Sequence, residues 1–350
     1  MKNLKRLLNL RINQIESKKK TSVLLARPFH ASIEVTTKCN LKCPMCTHTI
    51  FSNGRKYDDM PEDVIEKIKK NLLPYISFCD LVGCGDPLIS ESLFKILDYC
   101  SRLNVKTATT TNGLMLNETN AKRLVKSNLS VLHISIDAVK DRTYREIRVG
   151  SNFDRVIENI KCLNHYKKQY KKENPVLSLE FVAMKKNIEE LPEFIHLAKS
   201  LDAQSVNVMY LAVSDEKLRE ESLYYYQESS NENFKKAKNL ARALGIELTL
   251  PGLFNDNNGN GSKRKEQSKR FECHYPWTFT FICQNGDVIP CCQMKAMGNL
   301  MKKSFREIWN GKGYRELREG VNSSEPPETC SRCAHPSLQD VNNIKTHILI

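Results

Sequence analysis

Between Ser32 and about Leu211 the sequence alternates strand-like and helix-like segments, and this restricts the fold more than any other feature. Short runs rich in apolar and β-branched residues fall at 32–36, 78–82, 105–109, 131–136, 177–183 and 205–210. Segments of helical period lie between them at 61–72, 93–103, 119–127, 154–166 and 188–200. Asp59, shortly before Pro61-Glu62-Asp63, is a start signal for the first helix. Alternation of this kind predicts parallel strands joined by right-handed crossovers. Six such units are too few to close an eight-stranded barrel, so a partial barrel or open sheet is expected.

In parallel α/β folds the ligand site lies at the carboxyl ends of the strands. The unusual residues of this chain are at those ends. After the first strand comes Cys39-Asn40-Leu41-Lys42-Cys43-Pro44-Met45-Cys46, a Cys-x3-Cys-x2-Cys spacing. Three thiolates are one short of a closed zinc or four-iron site, which leaves one metal position open to a small molecule. Gly83-Cys84-Gly85-Asp86-Pro87 follows the second strand, Thr111-Asn112-Gly113 the third, and Ser135-Ile136-Asp137 ends the fourth. Gly83 and Gly85 let backbone approach a ligand, and Asp86 offers a carboxylate to an ammonium group. Asn112-Gly113 suits a turn with positive φ that presents the Asn amide. Taken singly, each is equally well read as ordinary strand-to-helix turn chemistry.

A second cysteine group follows at Cys273, Cys291, Cys292, Cys330 and Cys333. The span 279–290 reads as a β-hairpin with a tight turn at Asn285-Gly286. Four thiolates from this group suit zinc or a four-iron cluster, and ligand counting does not separate the two. The 13 cysteines are an odd number without a secretory signal, which argues against a disulfide framework and for a reducing cytoplasm. Those outside the two groups (Cys79, Cys84, Cys100, Cys162, Cys283) are expected to be small buried hydrophobes.

The net charge of +14 is spread thinly. Its densest runs, at 18–20 and 262–266, lack interleaved aromatics and read as solvated loops, so nucleic-acid binding is not expected. No apolar run reaches the length of a membrane span. Leu4, Leu7, Leu8, Ile12 and Ile15 recur at helical spacing among Lys and Arg. The simplest reading is an amphipathic helix packing on the domain, and a membrane-surface or partner-binding helix is the alternative.

Together the strand-end motifs resemble those of the radical S-adenosylmethionine (SAM) superfamily. In that family three cysteines hold a four-iron cluster whose last iron is chelated by SAM, which here implies Cys39, Cys43 and Cys46. The resemblance assigns Gly83, Gly85, Asp86 and Pro87 to the loop that binds the SAM amino group, with Asp86 where Glu is usual. It also implies SAM contacts from Thr111, Asn112, Ser135 and Met209. Arg148, in Tyr144-x-x-Ile147-Arg148, would pair with the SAM carboxylate or a substrate acid. Met45 stands where an aromatic often precedes the last cysteine.

From Cys273 through Gly286, Cys291, Gly298-Asn299-Leu300 and Ile308-Trp309-Asn310 to Cys330-x2-Cys333, the chain resembles the SPASM/Twitch extension of these enzymes. That implies an auxiliary cluster on Cys273, Cys291, Cys330 and Cys333, with Cys292 as the alternate to Cys291. Residues 334–350 contain no cysteine, which favours one auxiliary cluster in the shortened form.

The implied fold class is α/β. It begins with a basic amphipathic segment (1–30) and a partial (β/α)6 barrel core (31–213), followed by a connecting helix and flexible loop (214–270). A small SPASM/Twitch-like α+β iron–sulfur domain (271–336) and a tail (337–350) complete it. The implied cofactors are SAM and two 4Fe–4S clusters, and the implied reductant is a flavodoxin or ferredoxin. The implied reaction is cleavage of SAM to a 5′-deoxyadenosyl radical, hydrogen abstraction and a two-electron oxidation completed through the auxiliary cluster. With about thirty residues before the first strand, too few for a leader-peptide-binding domain, the expected substrate is a small hydroxylated or carbohydrate-like molecule. Peptide or protein side-chain maturation is the alternative, and a non-catalytic zinc or iron–sulfur protein is the alternative of another class. No catalytic acid or base is singled out.

Overall fold

The computed structural model describes residues 2–52, 56–254, 272–291, 294–331 and 333. The chain begins α1 (Lys2–Lys19), β1 (His30–Ile33), α2 (Thr47–Ile50), α3 (Glu62–Asn71), β2 (Phe78–Leu81) and α4 (Glu91–Leu103). It continues β3 (Lys106–Thr111), α5 (Glu118–Lys126), β4 (Val131–Ser135), α6 (Asp141–Ile147), α7 (Phe153–Gln169) and β5 (Val176–Ala183). Next come α8 (Leu191–Ser200), β6 (Ser205–Tyr210), α9 (Gln227–Leu244) and β7 (Glu247–Thr249). The C-terminal part holds α10 (Tyr275–Thr278), β8 (Phe279–Ile282), β9 (Asp287–Ile289), β10 (Gly298–Asn299), α11 (Phe305–Trp309), α12 (Lys312–Gly320) and α13 (Glu328–Ser331). The loop expected at 255–261, the basic run after it, Cys292 and the tail 337–350 lie outside the described residues.

One compact unit comprises the described residues of Met1–Thr37, Tyr57–Thr107 and Lys269–Ile350. Its strands run in the order β10-β9-β8-β1-β2. β1 has parallel partners on both sides, with His30 in register with Phe78 of β2 and with Phe279 of β8. The C-terminal hairpin thus joins the sheet beside the first strand. Ala31, Ile33, Cys79, Leu81, Thr280 and Ile282 are fully buried along it.

The hairpin turn differs from the expected two-residue form. Gly286 N–H donates to Cys283 O and Cys283 N–H to Asp287 O, so three residues make the loop and Gly286 follows the turn at φ 86°. Glycine suits that left-handed position because it has no Cβ.

β1 is also displaced from the expected 32–36. Past Ile33 the chain leaves β2: Glu34 N–H donates to Ile282 O and Thr36 bridges antiparallel to Asp59.

Helix α1 corrects the expectation that its leucines pack on the domain. Its buried residues are Asn9, Asn13, Glu16 and Ser17. Asn9 Nδ2 donates to Arg27 O and Tyr75 O, and the Glu16 carboxylate accepts from Leu25 and Ala26 N–H. Hydrogen bonds to otherwise orphaned backbone groups hold this helix in place.

The other unit comprises the described residues of Lys38–Lys56 and Ala108–Ser268. Its strand order is β3-β4-β5-β6-β7, all parallel. The segment at 247–250, expected to belong to a connector, supplies β7. Gly245, at φ 67°, ends α9 and turns the chain back beside β6. On one face of β4–β6 the fully buried Leu132, Ile134, Leu179, Phe181 and Val206 meet the helices; Phe181 packs edge-on against Phe194 of α8 at 5.0 Å. The side-chain period of two puts His133, Ser135, Glu180, Asn207 and Met209 on the opposite face.

Of the cysteines expected to be buried hydrophobes, Cys79 and Cys100 are fully buried, while Cys84, Cys162 and Cys283 are half-buried. All three lie on loops or a helix flank.

Candidate functional site

In the second unit the cysteine loop is built against two strand ends and a helix. Cys43 is buried; Cys39 and Cys46 are half-buried. Lys42 N–H donates to Val149 O, and a Cβ on Gly150 (φ 95°) would come within 3.5 Å of Asn40 O, so the segment after α6 backs the loop closely. Asn112 Nδ2 donates to Asn40 Oδ1 at 2.8 Å, while its Oδ1 accepts from Leu114 N–H. The positive-φ turn expected at Asn112-Gly113 is present, with Gly113 at φ 78°, and its amide holds the cysteine loop. The Thr111 hydroxyl accepts from Gly113 N–H and so shapes that turn. Met45 packs against the cluster of Ile147, Met184, Leu211 and Leu218, which is what a flexible side chain in the aromatic's place achieves.

Arg148 lies between two partners in this unit. Its Nη2 pairs with the fully buried Asp137 carboxylate, and its Nη1 approaches Cys43 Sγ at 3.9 Å. Asp137 Oδ1 also accepts from Val182 N–H at 2.7 Å, and its backbone is in the left-handed region at φ 68°. A guanidinium does not shed its proton at working pH, so a charge buried here demands the carboxylate opposite it. Burial works against the Arg148 charge, but Asp137 more than restores it. Arg148 Nε, also buried, is left without a hydrogen-bond partner. Burial pushes the Cys43 thiol up to about 11 against the pull of Arg148. The start of α6 is fixed by Glu190, which accepts from Val139 and Lys140 N–H and from the Thr143 hydroxyl.

Ser135 and Met209 share the face of β4–β6 opposite the helices with a polar group that the sequence reading missed. His133 Nδ1 donates to Glu180 Oε1 at 2.6 Å, and the same oxygen accepts from Ser178 Oγ and Asn207 Nδ2. The available signal was polar residues at alternate positions in the otherwise apolar run Leu177-Ser178-Leu179-Glu180-Phe181.

In the first unit the glycine-rich loop has an internal reason for its composition. A Cβ on Gly83 would stand 2.3 Å from Glu34 Cγ, far inside contact distance. The buried Glu34 carboxylate accepts from Cys84 N–H at 2.8 Å and from Gln284 N–H at 3.2 Å, tying this loop to the C-terminal hairpin. Asp86 Oδ1 accepts from Leu88 N–H, capping the turn that carries the buried Pro87; Gly85 lies between them and Cys84. Burial raises the Cys283 thiol to about 12, with Glu34 and Asp287 adding to it.

The second cysteine group is in the same unit. Cys273 is held at both backbone groups by Asn322, whose Oδ1 accepts from its N–H and whose Nδ2 donates to its carbonyl. Cys291 ends the hairpin, and Cys333 N–H donates to Cys330 O in a knuckle turn. Among the described residues no three His, Cys, Asp or Glu side chains lie close enough together to hold a metal ion. The chemistry of the first donor set nevertheless fits a cluster with an acidic ligand: three thiols on one buttressed loop and a buried guanidinium N–H with no partner.

Residues 33–198 match the Radical SAM superfamily, and residues 273–334 match SPASM, an iron–sulfur cluster-binding domain. The chain belongs to the radical SAM superfamily and carries a SPASM domain, so it is a radical SAM enzyme with the α/β core of that family. Its cofactors are SAM and two 4Fe–4S clusters. It is 24% identical over 327 residues to the AdoMet-dependent heme synthase of Methanosarcina barkeri, covering 86% of each chain. It is 26% identical over 207 residues to a probable GTP 3′,8-cyclase of Methanocaldococcus jannaschii, covering 59% of this chain and 65% of that one.

Among solved structures, Streptococcus suis SuiB bound to S-adenosylmethionine matches with TM-score 0.65 at 19% identity, covering 94% of this chain and 75% of that chain. AnSMEcpe with bound AdoMet matches with TM-score 0.62 at 18% identity, covering 89% and 85%. At these identities the likeness is one of fold. No helix among the described residues is long and apolar enough to cross a membrane.

Proposed function

We propose that the chain is an oxidoreductase that carries out a two-electron oxidation of a small hydroxylated, carbohydrate-like molecule. The observation that supports this substrate class is the polar face of β4–β6, where His133, Ser178, Glu180 and Asn207 form one hydrogen-bonded group. Cys39, Cys43 and Cys46 are the proposed ligands of the SAM-binding cluster, with Thr111, Asn112, Ser135, Arg148 and Met209 as SAM contacts. Gly83, Gly85, Asp86 and Pro87 keep the role proposed for them toward the SAM amino group. Cys273, Cys291, Cys330 and Cys333 are the proposed auxiliary ligands.

When bound, these groups supply a 5′-deoxyadenosyl radical that takes a hydrogen atom from carbon and a cluster able to accept the remaining electron. The chain's own residues handle the proton. His133 donates Nδ1–H to Glu180, which sets the tautomer with Nε2 as acceptor. Nε2 binds the substrate hydroxyl and takes its proton as the carbonyl forms. Ser178 and Asn207 hold Glu180 in place. The reductant is a flavodoxin or ferredoxin, and the compartment is the cytoplasm.

A peptide substrate is the second reading. Its support is the fold shared with SuiB bound to precursor peptide SuiA and with anSMEcpe bound to Cp18Cys peptide, at 20% and 16% identity.

The test is anaerobic reconstitution, then incubation with SAM, a strong reductant and pools of polyols, aminocyclitols or peptides. Deoxyadenosine and a carbonyl product formed only with a hydroxylated small molecule, and a His133→Gln variant that cleaves SAM without making product, would support the proposal. Product from the peptide pool alone would reverse the substrate class.

A further inference from the structure

Helix α1 faces its own unit with its polar side and presents its apolar side to solvent. Leu4 is 70% exposed, Leu7 56%, Leu8 58% and Ile15 54%. At 3.6 residues per turn these four fall within an arc of about 100°. Arg11, Lys18 and Lys19 are exposed on or beside the same arc. The one acidic residue of α1, Glu16, points the other way and is occupied by Leu25 and Ala26 N–H. In the segment after the helix, Val23 is 57% and Leu25 74% exposed.

A helix that only completed its own unit would bury the leucines and expose the asparagines. Here Asn9 and Asn13 make the attachment through backbone carbonyls, leaving an apolar stripe bordered by cations and free of carboxylates.

We propose that this face of α1 docks on the surface of an anionic lipid bilayer. Leucine and isoleucine side chains enter the headgroup boundary, and Arg11, Lys18 and Lys19 meet lipid phosphates and carboxylates. The charge pattern selects this occupant: a helix whose only acid is turned inward complements a uniformly negative surface. The helix lies in the interface and does not span it, since its polar side remains bonded to the protein.

The test is co-sedimentation of the full chain with vesicles of phosphatidylcholine containing phosphatidylserine, against vesicles of phosphatidylcholine alone. Binding is expected to the anionic vesicles, weaker by about tenfold or more to neutral ones and at high salt. Leu7→Glu with Leu8→Glu should lower anionic-vesicle binding at least about tenfold, with the near-ultraviolet circular dichroism of Trp277 and Trp309 unchanged. As an independent readout, Leu4→Trp should add emission that shifts to the blue only with anionic vesicles. No binding, equal binding to both vesicles, or binding indifferent to the double variant would overturn the proposal. So would dimerisation without vesicles that the double variant abolishes, which would assign the face to a second copy of the chain.

Discussion

Asp137→Asn tests the electrostatic arrangement behind the cysteine loop. The substitution keeps the side-chain volume and the oxygen that accepts from Val182 N–H at 2.7 Å, and removes only the charge. Asp137 is 0% exposed, and the Arg148 side chain 13%. Removing one partner of a buried pair costs about 3–5 kcal/mol because the other charge remains buried. The low end applies, since burial pushes the Asp137 carboxyl up against the pull of Arg148 and the bond to Val182 survives. The neutral Cys43 thiol at 3.9 Å cannot replace the carboxylate.

About 3 kcal/mol corresponds to roughly a hundredfold change in a local opening constant. Hydrogen exchange read by mass spectrometry on the peptide containing Val182 is the assay, because a chain with two compact units need not unfold in a single step. Exchange should accelerate roughly a hundredfold in Asp137→Asn. Adding Arg148→Met should recover at least about half of the loss in free energy. Unchanged exchange in the single variant, or a double variant no more protected than the single one, would refute the reasoning.

Gly83→Ala forces a Cβ to 2.3 Å from Glu34 Cγ and should cost about 1–3 kcal/mol in a thermal melt; adding Glu34→Ala should return part of it. Arg318 donates to Pro276 O and Ser22 O and sits 4.6 Å over Trp309, so Arg318→Met should destabilise the first unit by about 2–4 kcal/mol. Arg318→Lys should not rescue it, because an ammonium lacks the planar fork. Replacing Cys39, Cys43 and Cys46 with Ala should halve the iron of the reconstituted protein and abolish SAM cleavage. Replacing Cys330 and Cys333 should also halve the iron, sparing abortive SAM cleavage while losing product.

The sequence by itself determined the features that depend on near neighbours. β2, β4 and β6 begin where the apolar runs begin, and α4 and α8 end where their periodic patterns end. The cysteine spacings, the positive-φ turn at Gly113 and the hairpin were legible because a few adjacent residues specify each. Tertiary structure decided the partners. Glu34 reads as one more strand residue until the turn 250 positions later brings Gln284 N–H to it. Gly83 looks made for a ligand until the Glu34 side chain is placed beside it. His133 and Glu180 belong to different strands, and only their parallel register joins them with Asn207. Helical spacing showed that α1 has an apolar face but not which way it turns. That depended on where the carbonyls of Arg27, Tyr75 and Trp277 needed donors, and periodicity within one helix carries no information about distant backbone groups.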